Sequence, residues 1–279
     1  MKTSNKILIA FAAALLLIPI FGMIYISRVE YREGKYANDV VYKNDHFKDE
    51  APNMVSTPIS KSFNAVNVKD AKGYFINIRF VEDKDYGVKV QGKSNNTFKF
   101  EVDENGVLQI DVANKTEDSH YYGMLIIYAP NIKALTVAKA DGLELNAKQD
   151  SLSLNLSNNG NFNFSSASQL NKVSIIATNV TNINVEKDIK DLKLNLTNTP
   201  FSINSASFDN LTISTNSTIE LSSADSEKDK YSIKSLIVNT TGEASLKIEN
   251  IKVLQCSGSF SDQTKVEMPA ANLNQMYKK

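Results

Sequence analysis

Apolar and polar residues alternate along most of the chain after residue 61, which is the pattern of strands with one buried and one solvated face. Before Pro130 this alternation forms about six strand-like runs, at 63–68, 74–81, 87–92, 98–102, 107–112 and 124–130. Asn105-Gly106 lies between two of them, and this dipeptide is the strongest short-range signal for a β-hairpin. Residues 61–130 are therefore predicted to form an N-terminal region of antiparallel strands.

The segments after Pro130 become shorter, more polar and regularly spaced. Aligned on a first apolar pair, they begin at Leu135, Leu152, Val173, Leu192, Leu211 and Leu236. A second apolar pair often follows eight residues after the first, and Asn, Asp, Gly and Thr residues suited to turns lie between the two pairs. A return of about 19 residues predicts units of short strands that stack and share one core, which is a β-solenoid over residues 131–268.

The stretch SLSLNLSNNGNFNF at 151–164 shows that this pattern has two interpretations. Its alternating runs on either side of Asn-Asn-Gly fit a hairpin, so two packed antiparallel sheets compete with the solenoid. A hairpin explains the spacing of eight residues from Leu154 to Phe162, but it does not explain the longer and steadier return of the whole unit. We therefore favour the solenoid, with residues 61–130 capping its first turn and the tail 269–279 closing its last turn.

Residues 7–26, ILIAFAAALLLIPIFGMIYI, form a charge-free run that is long enough for a helix to span a bilayer. Positive residues flank both ends of the run, and they are Lys2, Lys6, Arg28, Arg32 and Lys35. A signal peptide has a shorter apolar region that ends in a small-residue cleavage site, whereas Ala12–Ala14 lie in the middle of this run. Residues 1–27 are therefore interpreted as a membrane anchor, with a cleaved signal peptide as the alternative.

Residues 28–60 show no sustained period and contain Pro52 and Pro58, so they are predicted to be a stalk. The flanking charges do not decide the orientation of the span, because both sides are positive. A short N-terminal tail before a first span usually stays in the cytoplasm. Residues 28–279 are therefore expected on the extracytoplasmic side, in the periplasm or at the cell surface.

The composition argues against several kinds of chemistry. Lys plus Arg equals Asp plus Glu, at 31 each, so the charge balance predicts no nucleic-acid partner. Cys256 is the single cysteine, which excludes an intrachain disulfide and favours a small buried residue. The two histidines, His46 and His120, lie far upstream of it, and phosphate-loop, dinucleotide, zinc-protease and serine-hydrolase motifs are all absent from the sequence. We therefore predict no catalytic, cofactor-binding or metal-binding residue and no cofactor.

Two acidic runs are candidate cation loops, and they consist of Glu82, Asp83 and Asp85 and of Asp225, Glu227 and Asp229. Calcium loops place oxygen ligands at alternating positions and turn sharply at a Gly. Both runs contain Lys and lack that Gly, so they are interpreted as solvated loops. His120, in the sequence EDSHYY, is likewise interpreted as a loop histidine.

Four segments carry a resemblance to a known family, and they are KSFNAVNV (61–68), GYFINIRFVEDKDYGVKVQG (73–92), ENGVLQIDV (104–112) and LIIYAPNIKALTV (125–137). Over about residues 61–268 the chain resembles the putative auto-transporter adhesin, head GIN domain family of Bacteroidetes, formerly a domain of unknown function. The Gly-Ser-Gly-Asp corners of that family are degraded here, for example to SNNGN at 157–161. The resemblance implies a right-handed parallel β-helix after an N-terminal strand region, and it transfers no catalytic residue. Family members often carry a cleavable signal, from which the long span here departs.

The sequence thus predicts a non-enzymatic, membrane-anchored protein of the cell envelope, with a role in adhesion, scaffolding or protein contact. Its flat polar strand faces are expected to bind an envelope protein or a glycan through many weak hydrogen bonds. The alternative is a carbohydrate-binding or carbohydrate-active β-helix, with Tyr and Phe stacked on sugar rings. A signalling role through the span is a third possibility, although only about six residues precede the span.

Overall fold

The structure is a computed structural model that describes residues 3–30, 46–50, 53–92, 97–113, 121–228 and 230–277. The chain falls into two units, residues 1–45 and residues 46–279. The first unit contains helix α1 (Thr3–Glu30), within which Asn5–Tyr25 is long and apolar enough to cross a membrane. A signal sequence has the same length and composition, so α1 fits both a membrane anchor and a signal sequence.

The second unit is built from two mixed sheets. The strands of the 11-stranded sheet are β1 (Met54–Pro58), β3 (Tyr74–Glu82), β4 (Gly87–Gln91), β7 (Tyr121–Ala129), β9 (Gly142–Asn146), β11 (Asn161–Phe164), β13 (Asn182–Val185), β15 (Phe201–Asn204), β17 (Thr218–Ser222), β19 (Ser245–Glu249) and β21 (Lys265–Glu267). The strands of the 10-stranded sheet are β2 (Ala65–Val68), β5 (Phe98–Val102), β6 (Val107–Val112), β8 (Ala134–Ala138), β10 (Lys148–Ser157), β12 (Gln169–Thr178), β14 (Ile189–Thr197), β16 (Phe208–Thr215), β18 (Ser232–Thr240) and β20 (Lys252–Ser259). Their spatial orders are β1-β4-β7-β3-β9-β11-β13-β15-β17-β19-β21 and β20-β18-β16-β14-β12-β10-β8-β2-β6-β5.

From β8 onward, consecutive strands alternate between the two sheets, and from β10 onward each strand pairs in parallel with the strand two places earlier in the chain. Hairpins would pair consecutive strands in antiparallel fashion, so the hairpin interpretation of this part is wrong. The segment 151–164 crosses from β10 in one sheet to β11 in the other. Its two alternating runs therefore belong to different sheets.

Inward-facing apolar residues from successive strands align in rows. One row of the 10-stranded sheet consists of Leu135, Leu154, Ile175, Leu194, Ile213 and Val238, which are almost fully buried. Neighbours in this row recur about every 19–21 residues, with one longer step from Ile213 to Val238. A facing row in the 11-stranded sheet consists of Leu143, Phe162, Ile183, Phe201, Ile219 and Leu246. The two rows meet in one hydrophobic core between the sheets.

The first step of the predicted spacing needs a correction. Leu135 pairs with Leu154, whereas the sequence alignment placed it beside Leu152. Side chains in a strand alternate with a period of two, so a shift of two residues keeps the same face inward and leaves the hydrophobic pattern unchanged. The first step therefore has the same length as the later step from Ile175 to Leu194.

The N-terminal strands combine antiparallel and parallel pairs. β5 and β6 form the hairpin predicted from Asn105-Gly106, and β4 pairs in antiparallel fashion with β1 and β7. In contrast, β3 pairs in parallel with β7 and β9, and β2 pairs in parallel with β6 and β8. The prediction of a wholly antiparallel region was thus wrong, because alternation reports which face is buried and not which way the neighbouring strand runs.

A row of corner residues adopts left-handed backbone. Their φ angles are 60° at Lys139, 53° at Asn158, 54° at Asn179 and 48° at Asn198. Asparagine tolerates this region better than most residues. Its side chains also form a ladder, in which the Nδ2 atoms of Asn179, Asn198 and Asn216 each donate to the Oδ1 of the preceding asparagine at 3.0–3.1 Å. The same asparagines therefore form the tight corner in each turn and hydrogen-bond successive turns of chain to each other.

Two further residues of this corner depend on contact with the preceding turn. Asn159 is buried, its Oδ1 accepts from the amide of Ala140 at 2.8 Å, and its Nδ2 donates to the carbonyl of Val137 at 2.8 Å. Gly160 has no positive φ, but a Cβ there would lie 1.8 Å from the carbonyl oxygen of Asp141. The left-handed residue of Asn-Asn-Gly is thus Asn158, and the glycine permits close approach.

The end of the 10-stranded sheet is covered by helix α2 (Ala270–Tyr277), which lies in the predicted tail 269–279. Asn272 Nδ2 donates to the carbonyl of Val253 at 2.9 Å. Gln275 accepts from the amide of Cys256 at 2.8 Å and donates to the carbonyl of Leu254 at 3.2 Å. Side chains of α2 therefore satisfy three backbone groups of β20, which disfavours pairing of this part of the edge with another strand.

The last part of the predicted stalk 28–60 contains structure. β1 lies within it and pairs with β4, and the segment 46–50 belongs to the same unit as the sheets. β1 has the sequence MVSTP, too short and too irregular to be recognised as a strand from alternation alone. Residues 31–45 and 51–52 of the stalk lie outside the described residues.

Candidate binding surface

The first acidic run, Glu82 to Asp85, holds a neighbouring segment of chain. Asp83 is buried, and its carboxylate accepts from the amides of Phe47 at 2.8 Å and Asp85 at 3.0 Å. His46 Nδ1 lies 3.4 Å from the same carboxylate. Burial disfavours the charged form, but these three contacts outweigh burial, so the pKa of Asp83 lies below its usual value. Asp83 therefore has a structural role in fixing the segment 46–50.

A buried lysine completes this attachment. Lys89 is fully buried, and its Nζ donates to the carbonyls of His46 at 2.8 Å and Asp49 at 2.9 Å. It also lies 4.8 Å from the ring centre of Tyr128, which packs edge-on against Phe47. Lys89 was not predicted as a structural residue, and its one signal in the sequence is its position between the apolar residues Val88 and Val90.

The second acidic run also consists of paired side chains. Glu227 lies 2.6 Å from Lys230 Nζ, and Asp225 accepts from Asn250 Nδ2 at 2.6 Å. Asp229 and His120 lie outside the described residues. Within the part of the chain that the structure describes, no three His, Cys, Asp or Glu side chains are grouped so that they could hold a metal ion. Cys256 is buried as predicted, and burial raises the pKa of its thiol.

The outward face of the 10-stranded sheet is mostly polar. Its outward residues align in rows like the inward ones, and one row consists of Thr136, Asn155, Ile176, Asn195, Ser214, Asn239 and Ser259. A neighbouring row consists of Ser153, Ser174, Lys193, Thr212, Ile237 and Ser257. All of these residues are partly or fully exposed. Hydroxyl and amide groups therefore recur at each strand, about 4.8 Å apart.

The two sheets differ in how their outward polar groups are used. On the 11-stranded sheet, Ser202 Oγ accepts from Asn182 Nδ2 and donates to Asn184 Oδ1, and Asn77 donates to Glu144. On the 10-stranded sheet, a central group makes no side-chain hydrogen bond to any described residue, and it consists of Ser153, Ser174, Asn155, Asn195, Thr212 and Ser214. Those groups are available to a ligand, so this is the candidate binding face.

A groove of about 430 Å³ crosses this face from the residues before β8 to β16. Three exposed lysines line the groove, and they are Lys133, Lys172 and Lys193. The side chains of Leu152, Val173 and Leu192 lie beneath it and are buried in the core. Its single acidic residue is Asp191, which accepts from Asn210 Nδ2 at 2.6 Å. The lining therefore has a formal charge of +2.

The sequence profile of the family described as putative auto-transporter adhesin, head GIN domain, matches residues 62–249. A crystal structure of a putative adhesin from Parabacteroides merdae is 15% identical, with a TM-score of 0.51 over 80% of this chain and 96% of that one. A putative adhesin from Bacteroides fragilis is 14% identical, with a TM-score of 0.34 over 80% of this chain and 100% of that one. A putative lipid binding protein from Parabacteroides distasonis is 12% identical, with a TM-score of 0.36 over 80% of this chain and 96% of that one. No curated protein matches the chain. The Parabacteroides merdae structure shows a common fold.

Proposed function

Because the chain belongs to the putative auto-transporter adhesin, head GIN domain family, we propose that it is a membrane-anchored adhesin without enzymatic activity. It would bind a glycan or an envelope protein through the outward face of the 10-stranded sheet. The observation that carries this proposal is the set of in-register hydroxyl and amide groups on that face that bond to no described residue. Many such groups repeated in register along a sheet suit an extended ligand better than a single small molecule.

The architecture that supports this surface is, in our proposal, a right-handed β-solenoid. The parallel pairing of alternate strands, with a regular return along the sequence, is what a coil of two-sided turns requires. Residues 61–130 would cap its first turn, residues 131–268 would form its turns, and residues 269–279 would cover its last turn. A crystal structure would test the handedness.

We further propose that α1 stays in the mature protein as a signal-anchor and that residues 28–279 lie outside the inner membrane. The helix is longer than a typical signal-peptide core, and its small-residue cluster is central. N-terminal sequencing of the protein purified from membranes tests this directly. The anchor predicts the unprocessed N-terminus, and a mature N-terminus near residue 27 would contradict it.

Adhesion itself is tested with the full chain embedded in nanodiscs of neutral lipid. We expect saturable binding to envelope fractions of the cells that produce it, and none to empty nanodiscs. Treating the envelope fraction with periodate destroys glycans, and treating it with protease removes proteins, so the two treatments separate a glycan ligand from a protein ligand. Absence of binding to untreated envelopes would contradict the proposal.

A second candidate, carbohydrate binding, is favoured by the groove on this face. The hydroxyl groups of its lining, on Ser151, Ser153, Ser174 and Thr212, can exchange hydrogen bonds with sugar hydroxyls. Glycoside hydrolysis needs a pair of carboxylates, and among the described residues lining the groove there is one, Asp191. We therefore retain the binding form of this candidate.

A further inference from the structure

We infer that the groove of the 10-stranded sheet binds an anionic polysaccharide whose acidic groups contact Lys133, Lys172 and Lys193. This inference rests on the proposed adhesive function and names the class of its ligand. The groove crosses four neighbouring strands, β10, β12, β14 and β16, so its long direction follows the stacking of the strands. A linear polymer fits such a shape.

The charge of the groove is the first argument. Within the described residues, none of the three lysines has a carboxylate within 4.0 Å, whereas Lys139, Lys230 and Lys234 each pair with Asp or Glu. The chain as a whole has equal numbers of basic and acidic residues. Three such ammonium groups around one groove, against a single Asp191, therefore form a local positive site for an acidic ligand.

The spacing of the groove is the second argument. Successive strands lie about 4.8 Å apart, which is close to the length of one pyranose residue in a linear polysaccharide. Each strand would therefore meet one sugar, with lysines available to acidic groups on more than one of them. An extended peptide presents side chains on one face about every 6.4–6.8 Å, which is out of phase with the strands.

The uncharged lining supports the same ligand class. Ser151, Ser153, Ser174 and Thr212 supply hydroxyl groups that make no side-chain hydrogen bond to a described residue. Sugar hydroxyls would both donate to and accept from such groups. A lipid surface is flat and would not reach into this groove.

The test measures binding of the full chain, in nanodiscs of neutral lipid, to beads that carry polygalacturonate, neutral dextran or poly-L-glutamate. We expect binding to polygalacturonate and at least tenfold weaker binding to the other two. The triple variant Lys133→Gln, Lys172→Gln, Lys193→Gln should bind polygalacturonate at least about tenfold more weakly. Raising the salt from about 0.1 M to about 1 M should weaken wild-type binding, because it shortens the Debye length from about 10 Å to about 3 Å.

The matched control is the triple variant Lys190→Gln, Lys252→Gln, Lys265→Gln. These lysines lie on strands but do not line the groove, and the net charge changes by the same amount. We expect its affinity to stay within about twofold of wild type. Equal loss in both variants would overturn the inference by showing a bulk charge effect, and so would no loss in the groove variant. Stronger binding to poly-L-glutamate would overturn it in favour of an acidic protein ligand.

This experiment, taken together with the envelope-binding assay of the proposed function, separates the two claims. If the wild-type chain binds envelope fractions but not polygalacturonate, adhesion stands and the anionic-polysaccharide inference fails. If it binds polygalacturonate but not envelope fractions, the inference of an anionic-polysaccharide site stands and the proposed adhesive function fails. Circular dichroism of each variant shows that a loss of binding does not come from unfolding.

Discussion

Asn159 is the residue with the clearest energetic role in a corner. It satisfies the amide of Ala140 and the carbonyl of Val137 from a buried position. Asn159→Ala would leave both backbone groups without a partner, so we expect a loss of about 2–4 kcal/mol in the free energy of unfolding. Urea unfolding followed by circular dichroism measures this. The control, Asn155→Ala on the exposed face, should change stability by less than about 0.5 kcal/mol. Equal effects would contradict the role assigned to Asn159.

Gly160 and Gly242 are glycines for two different reasons, which are close backbone approach at Gly160 and a positive φ at Gly242. A Cβ at position 160 would collide with the carbonyl of Asp141, whereas position 242 has a φ of 61° and open space. Gly160→Ala should therefore destabilise by at least about 2 kcal/mol, and Gly242→Ala by about 1 kcal/mol. Thermal unfolding of the two variants tests the order. A larger effect at Gly242 would show that the close approach is absent.

Asp103 predicts a pH dependence of stability. Its carboxylate accepts from the amide of Val107 at 3.0 Å, from Gln109 Nε2 at 2.7 Å and from the amide of Asn105 at 2.9 Å. The hydrogen bond from Val107, followed by those from Gln109 and Asn105, outweighs partial desolvation and lowers the pKa of Asp103 below the usual 3.8. The resulting stability is present above pH 3.8 and is lost as the pH falls through the lower, folded-state pKa.

The measurement for Asp103 is the difference in free energy of unfolding between wild type and Asp103→Asn, taken at several pH values. We expect a constant difference above about pH 5, and a smaller one below pH 3.8. Other acidic groups contribute equally to both proteins, so they cancel in this comparison. A difference that grows as the pH falls would have the wrong sign for this account.

Sequence patterns explain some of these residues and not others. The hairpin at Asn105-Gly106 follows from local turn chemistry, since Gly106 has the φ of 72° that the turn requires. The roles of Asn159 and Gly160 depend on the backbone of the preceding turn of chain, around Ala140 and Asp141. Contacts of that kind follow from the register between strands, and residue type alone does not reveal them.

At the scale of elements, the strands were predictable and their neighbours were less so. Period-two alternation identifies most strands and their buried face, but it is unchanged by a shift of two residues, which accounts for the misplaced partner of Leu135. The longest step of the repeat, from Ile213 to Val238, contains the short 3-10 turn Asp225–Glu227, in the loop expected there. Helix α2 has only eight residues and no long apolar stripe, so its sequence resembles a polar tail.

Cys256 reports on whether α2 covers β20. It is buried, and its backbone amide donates to Gln275. The double variant Asn272→Ala, Gln275→Ala removes the hydrogen bonds that attach the helix, so we expect the thiol to react with an aromatic disulfide reagent about tenfold faster. Asn274→Ala is the control, because Asn274 is exposed and makes no hydrogen bond to a described residue. Unchanged reactivity in the double variant would contradict the capping role.

At the scale of the whole molecule, the two sheets share one core and differ in their outward faces. The 11-stranded sheet uses many of its outward polar groups in contacts between neighbouring strands. On the middle strands of the 10-stranded sheet, such groups make no side-chain hydrogen bond to a described residue, and a positively charged groove lies beside them. The polar composition of the strands was evident in the sequence. Which polar rows are satisfied became clear only from the register and the side-chain contacts.

The most direct test of the account compares one blocking variant on each face. Asn155→Glu, Asn195→Glu, Ser214→Glu changes the outward face of the 10-stranded sheet, and Asn163→Glu, Asn184→Glu, Ser202→Glu changes that of the 11-stranded sheet. Binding of the full chain in nanodiscs to envelope fractions is measured for both. We predict that the first variant loses at least about tenfold in affinity and that the second stays within about twofold of wild type. Equal binding by the two variants, or a greater loss in the second, would contradict the assignment of the binding face.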